Sequence, residues 1–203
     1  MSKNTTSGAA LALAACAVLA AAVAAAPGAT QNSNSSTTQN DNAHAGHQSH
    51  GRMAADHRFA TEAAMGGMME VELGRVAAQK GASDEVRQFG QRMVDDHTKA
   101  NEELMRVASG KGMTLPSAPD PKHRAEMQKL SALSGERFDR EYVKMMLKDH
   151  RKDVAEFRKE SARGADADLK SFAARTLPTL QEHLRMIQRI SDKMALRKSG
   201  NLK

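Results

Sequence analysis

Tryptophan is absent from this chain, tyrosine occurs once, phenylalanine five times, and the single cysteine, Cys16, lies near the N-terminus. Aromatic side chains are common stock for a β-sheet face, so this alanine- and methionine-rich mixture points instead to packed helices. No basic run is interleaved with aromatics, so the chain lacks the footprint of a nucleic-acid binder. The net charge is +6, yet Lys and Arg are interspersed with Asp and Glu. Such a surface is well solvated and only weakly drawn to anionic envelope polymers or other envelope partners. If the segment holding Cys16 is removed, no thiol remains, and disulfides, thiol catalysis and cysteine-based zinc sites are excluded.

That segment has the form of a secretory signal. Lys3 supplies the positive start, residues 9–25 are an apolar run of Ala, Leu and Val, and small residues at Ala24-Ala25-Ala26 or Ala26-Pro27-Gly28 offer cleavage sites. A signal peptide is therefore expected over residues 1–28, and an exported, periplasmic protein with it. A retained anchor is the alternative, since about 17 residues is the lower edge of a membrane span. Leu13-Ala14-Ala15-Cys16 also resembles a bacterial lipobox, which would make an outer-membrane lipoprotein lipidated at Cys16. Against that, the chain stays apolar well beyond Cys16. Residues 29–55 are rich in Gln, Asn, Ser, Thr and Gly and are expected to be a disordered linker. His44, His47 and His50 lie in it at regular spacing, either a loose metal-collecting tract or simply part of a polar tether.

From there a helical period predicts four long helices, at about 57–80, 84–109, 136–161 and 167–194, in a domain over residues 56–196 with a tail at 197–203. Gly81 and Gly164 suit helix C-caps, in the left-handed conformation at Gly81, and Ser83 and Asp166 suit the N-caps that follow. Gly110, Gly112, Pro116, Pro119 and Pro121 break the pattern between the second and third long helices, where residues 122–133 form at most a short helix. Pro178 inside the last helix predicts a kink. Two tight hairpins joined by one long crossover describe an all-α, ferritin-like four-helix bundle.

One pattern occurs three times on these helices: Val94-Asp95-Asp96-His97, Leu147-Lys148-Asp149-His150 and Leu180-Gln181-Glu182-His183. A histidine three residues after an aliphatic core position shares its face, whereas the carboxylate beside it is turned away by about 100°.

Phe59 with Ala63-Ala64-Met65-Gly66-Gly67, Glu70-Val71-Glu72-Leu73-Gly74, Met93 to Asn101, Phe138-Asp139, Tyr142, Met146 to His150, and Thr176-Leu177-Pro178-Thr179-Leu180 with His183 together resemble the bacterial "domain of unknown function 4142" family. The resemblance covers nearly the whole mature domain. It implies an exported, ferritin-like four-helix domain and carries no assigned chemistry.

Glu70, His97 and His150 fall near the middle of their helices and His183 a little beyond, so all four are expected to meet in one layer and to bind one metal ion, Zn, Fe, Mn or Cu. Asp96, Asp149, Asp153 and Glu182 are candidates for orienting the imidazoles. Met93, Met146 and Met186 lie one turn from the histidines and would suit soft copper, although methionine at helical spacing is ordinary core packing. No histidine follows a Glu at three residues, which excludes the paired motif of di-iron bundles. No catalytic nucleophile, oxyanion hole or small-molecule substrate pocket is legible, so the sequence leans away from an enzyme. The expected role is metal buffering, storage or stress protection. The alternative is a structural or interaction module whose histidines and carboxylates form a metal-free polar layer.

Overall fold

The computed structural model describes residues 38–200. The expected signal segment 1–28, the lipidation candidate Cys16 and the side chains of His44, His47 and His50 lie outside the described residues. Five helices and no strands make up the described chain: α1 (Thr38–Lys80), α2 (Asp84–Ser109), α3 (Pro121–Ser131), α4 (Gly135–Arg163) and α5 (Ala167–Gly200). No described helix is long and apolar enough to cross a membrane.

Charge and caps fit these bounds. Asp84 and Glu85 open α2 and Arg106 lies in its last turn, each complementing the helix dipole. Asp120 caps α3 by accepting from the His123 amide, with Pro121 at the first helical position. Asp166 accepts from the amides of Asp168 and Leu169 at the start of α5, at 3.0 Å each. The helix α5 runs on through Pro178.

Two local expectations need correction. Among the described glycines only Gly112 and Gly135 have positive φ, so neither Gly81 nor Gly164 is a left-handed cap. What excludes a side chain there is space. A Cβ at Gly81 would meet the Ala77 carbonyl at 2.8 Å, and one at Gly164 would meet Glu160 Oε1 at 2.5 Å. The start of the first helix also differs. Residues 38–55, expected as linker, continue α1 upstream of the packed domain. No proline lies between Pro27 and Pro116, and extending a helix from a packed nucleus costs little once nucleation is done.

The core divides into two apolar clusters. One gathers Leu73, Phe89, Met93, Tyr142, Met146 and Ile187 with their neighbours, the other Phe59, Leu104, Phe157, Phe172 and Leu180 with theirs. Along α1 and α5 the chain meets the second cluster first, and along α2 and α4 it meets the first cluster first. Both hairpins, α1–α2 and α4–α5, are therefore antiparallel, whereas α2 and α4 run parallel. A parallel pair needs a connection that travels the length of the helices. Residues 110–120 with α3 supply it, placing Leu115 in one cluster and Leu130 in the other. The long helices touch in a ring, α1 to α2, α2 to α5, α5 to α4 and α4 to α1.

Each hairpin turn is fastened by an aspartate from the other hairpin. Asp139 of α4, 2% exposed, accepts from the amides of Ala82 and Ser83 at 2.8 Å and from the Ser83 hydroxyl. Asp56 of α1, also 2% exposed, accepts from the amides of Ala165 and Asp166. Ser83 keeps its position before α2, but Asp139 takes its hydroxyl and no side-chain cap forms.

Candidate metal centre

Between the two apolar clusters lies one polar layer. Each long helix contributes one residue to it: Glu70 on α1, His97 on α2, His150 on α4 and His183 on α5, exposed by 3%, 5%, 0% and 0%. The histidine rings sit 5.3 to 5.6 Å apart between centroids. One nitrogen from each of the three lies within 4.8 Å of the others.

The far nitrogen of each ring is held by an oxygen. His150 Nδ1 faces the Met146 carbonyl at 3.0 Å, which can only accept, so the proton is on Nδ1 and Nε2 is a bare lone pair. His183 Nε2 faces Asp96 Oδ2 at 2.9 Å, and Arg92 binds the same carboxylate. The proton is therefore on Nε2, and Nδ1 is bare. His97 Nδ1 lies 3.1 Å from Glu70 Oε2, while its Nε2 is buried with no partner. His150 Nε2 and His183 Nδ1, both without protons, face each other at 3.3 Å.

Burial sets the charge state. It pushes His97 well below the ordinary histidine range, helped by His150 and His183. Burial and His183 hold His150 down at about 3. Burial lowers His183 too, against the pull of Asp96. All three rings are neutral at physiological pH, the state a metal ligand needs. Burial raises Glu70 well above the usual carboxylate range, with Asp153 and Asp149 adding repulsion. For Asp96, burial is outweighed by the bonds from His183 and Arg92, and the group stays ionised below its usual value. The Tyr142 hydroxyl, buried without a partner, is pushed up by burial and by Glu70.

Residues 36–190 match a family described as a domain of unknown function, DUF4142. The chain belongs to the DUF4142 family. Among the curated proteins none matches it. Among solved structures it is similar to a DUF305 fragment from Deinococcus radiodurans, at 14% identity and a TM-score of 0.60 over 68% of this chain and 96% of that one. It is also similar to a Streptomyces coelicolor DUF305 protein provisionally named as secreted, at 18% identity and a TM-score of 0.56, over 67% of this chain and 91% of that one. At such identity the likeness speaks to the helical fold alone.

The other residues singled out from the DUF4142 sequence part company. Glu70 joins the histidines but stands behind two of them, its Oε1 3.4 Å from His150 Nδ1 and its Oε2 against His97. It faces the anchored nitrogens, not the bare ones. Asp96 turns from its own histidine toward His183 on the neighbouring helix. Asp149 and Asp153 line a cavity between α1 and α4, and Glu182 pairs outward with Arg185 and Arg189. Met93 and Met146 are packed in the apolar cluster and Met186 lies against it. Sequence reasoning missed Arg92, though it lies one helical turn before Asp96. It also missed the Met146 carbonyl, which carries no sequence signal, since every helical histidine has a carbonyl four residues back.

Proposed function

We propose that this DUF4142 chain is an exported bacterial protein whose helices form a ferritin-like four-helix bundle, and that its core binds one divalent metal ion through His97 Nε2, His150 Nε2 and His183 Nδ1. The observation that carries this reading is the pair of unprotonated nitrogens at 3.3 Å beside the unpartnered His97 Nε2. Buried lone pairs that face one another repel and gain nothing from solvent, whereas a shared cation satisfies all three. The anchoring of each opposite nitrogen is the usual outer support of a metal-bound imidazole, and here Glu70, the Met146 carbonyl and Asp96 supply it. Glu70 thus acts as an anchor rather than a ligand. Three neutral imidazoles favour borderline ions, zinc, copper(II) or iron(II), over harder manganese. Metal buffering, storage or envelope stress protection suits such a site.

Export is supported by the apolar run at residues 9–25 and by the name given to the Streptomyces coelicolor structure. The mature protein would then lie in the periplasm, free or tethered through a lipid on Cys16. The competing reading is a metal-free polar layer, favoured by the oxygen partner each ring already has. Thermal unfolding separates the two. A metal that binds only the folded state raises the melting temperature, and chelation reverses the rise. Added zinc is expected to raise it in the wild type and not in a His97→Ala/His150→Ala double variant. Equal melting curves with zinc and with chelator in the wild type would leave the polar layer standing.

A further inference from the structure

The trihistidine layer is closed at both ends by apolar clusters, so an ion needs a lateral way in. The α1–α4 side of the ring is the loosest of the four. There a cavity of about 560 Å³ reaches inward from the surface to Glu70. A divalent ion with six waters, at about 30 Å³ of liquid volume each, takes roughly 180 Å³ and fits. At the mouth, Lys152 of α4 is held by Glu62 of α1 at 2.8 Å. Deeper in, Asp149 and Asp153 line the wall, and Asp149 Oδ2 is buried without a partner.

The floor is Glu70, 3% exposed, whose Oε1 has no hydrogen-bond partner. One ligand atom each from Glu70, Asp153 and His150 lies within 4.8 Å of the others. His150 Nδ1 is committed to the Met146 carbonyl, so the donors this group offers are carboxylate oxygens. The other oxygen of Glu70 touches His97, one of the three rings of the layer.

Resting on the metal reading above, we propose that this cleft is the route by which a divalent cation enters the protein, and that Glu70 and Asp153 form an oxygen-donor transit site at its floor. Carboxylates replace part of the hydration shell while the cavity still supplies water to the rest. Imidazoles behind them then take a borderline ion, and harder ions are left at the carboxylates.

Stopped-flow loading of the metal-free chain with Co(II), followed by its visible absorption, tests the route. Gly66 lines the cavity, and a Cβ there meets nothing within 4 Å, so Gly66→Leu plugs the passage while replacing a helical glycine with a better helix former. Asp153→Asn removes the transit carboxylate. Each variant is expected to load at least tenfold more slowly than wild type, with unchanged final stoichiometry and spectrum. A wild-type loading rate in either variant overturns the route and leaves the trihistidine site intact. A wild type that takes up no Co(II) at all overturns the site and the route together.

Discussion

His150 Nε2 and His183 Nδ1 stand 3.3 Å apart with no proton between them, because Met146 and Asp96 hold the protons on the far side of each ring. The Asp96 contact is therefore the means by which α2 fixes the tautomer of a histidine on α5. Asp96→Ala frees His183 to place its proton on Nδ1, and zinc affinity should fall by about 10- to 100-fold. Competition against a chromophoric chelator measures it. Unchanged affinity would mean the tautomer is set elsewhere.

Burial raises Glu70 well above its ordinary range, which favours its protonated form in the metal-free layer. An ion at His97 Nε2 requires the ring proton at Nδ1, which Glu70 accepts best as a carboxylate. Zinc binding in weakly buffered solution with a pH indicator should release more protons in the wild type than in Glu70→Gln. Equal release in both would remove Glu70 from the account.

The metal-free protein should respond to acid through His150. Its folded value, about 3, lies below the ordinary 6.5, so the unfolded chain takes up the proton first. The stability this neutral ring carries is complete above about pH 6.5 and is lost as pH falls toward 3, up to about 5 kcal/mol. In chelator-treated samples the stability advantage of wild type over His150→Gln should shrink over that window. An advantage that grows on acidification would contradict the assignment.

How far this site was legible depends on the residue. Glu70, His97, His150 and His183 could be placed on one layer because the 3.6-residue period fixes a face and short hairpins align helix midpoints. Asp96 and Glu182 share the same local pattern, a carboxylate just before a histidine, and meet opposite fates. Asp96 is turned toward His183 while Glu182 finds Arg185 and Arg189 at the surface. Which helix lies across a flanking position is a tertiary fact that local spacing does not contain. The same holds for Asp56 and Asp139, which clasp turns more than fifty residues away.

Those two clasps should matter for stability and not for metal. Removing either aspartate leaves two part-buried turn amides without their acceptor, at about 1–3 kcal/mol. Asp56→Ala and Asp139→Ala should each lower the melting temperature by about 5 °C. Zinc stoichiometry should stay at the wild-type value. Unchanged melting in both would show that the turns hold without them.

The most direct measurement is elemental analysis of untagged purified protein, beside the His97→Ala/His150→Ala variant prepared in the same way. A single tightly held equivalent of a borderline metal in the wild type, absent from the variant, is the expected result. Negligible and equal metal in both would contradict the account and leave a helical domain stiffened by a buried polar layer.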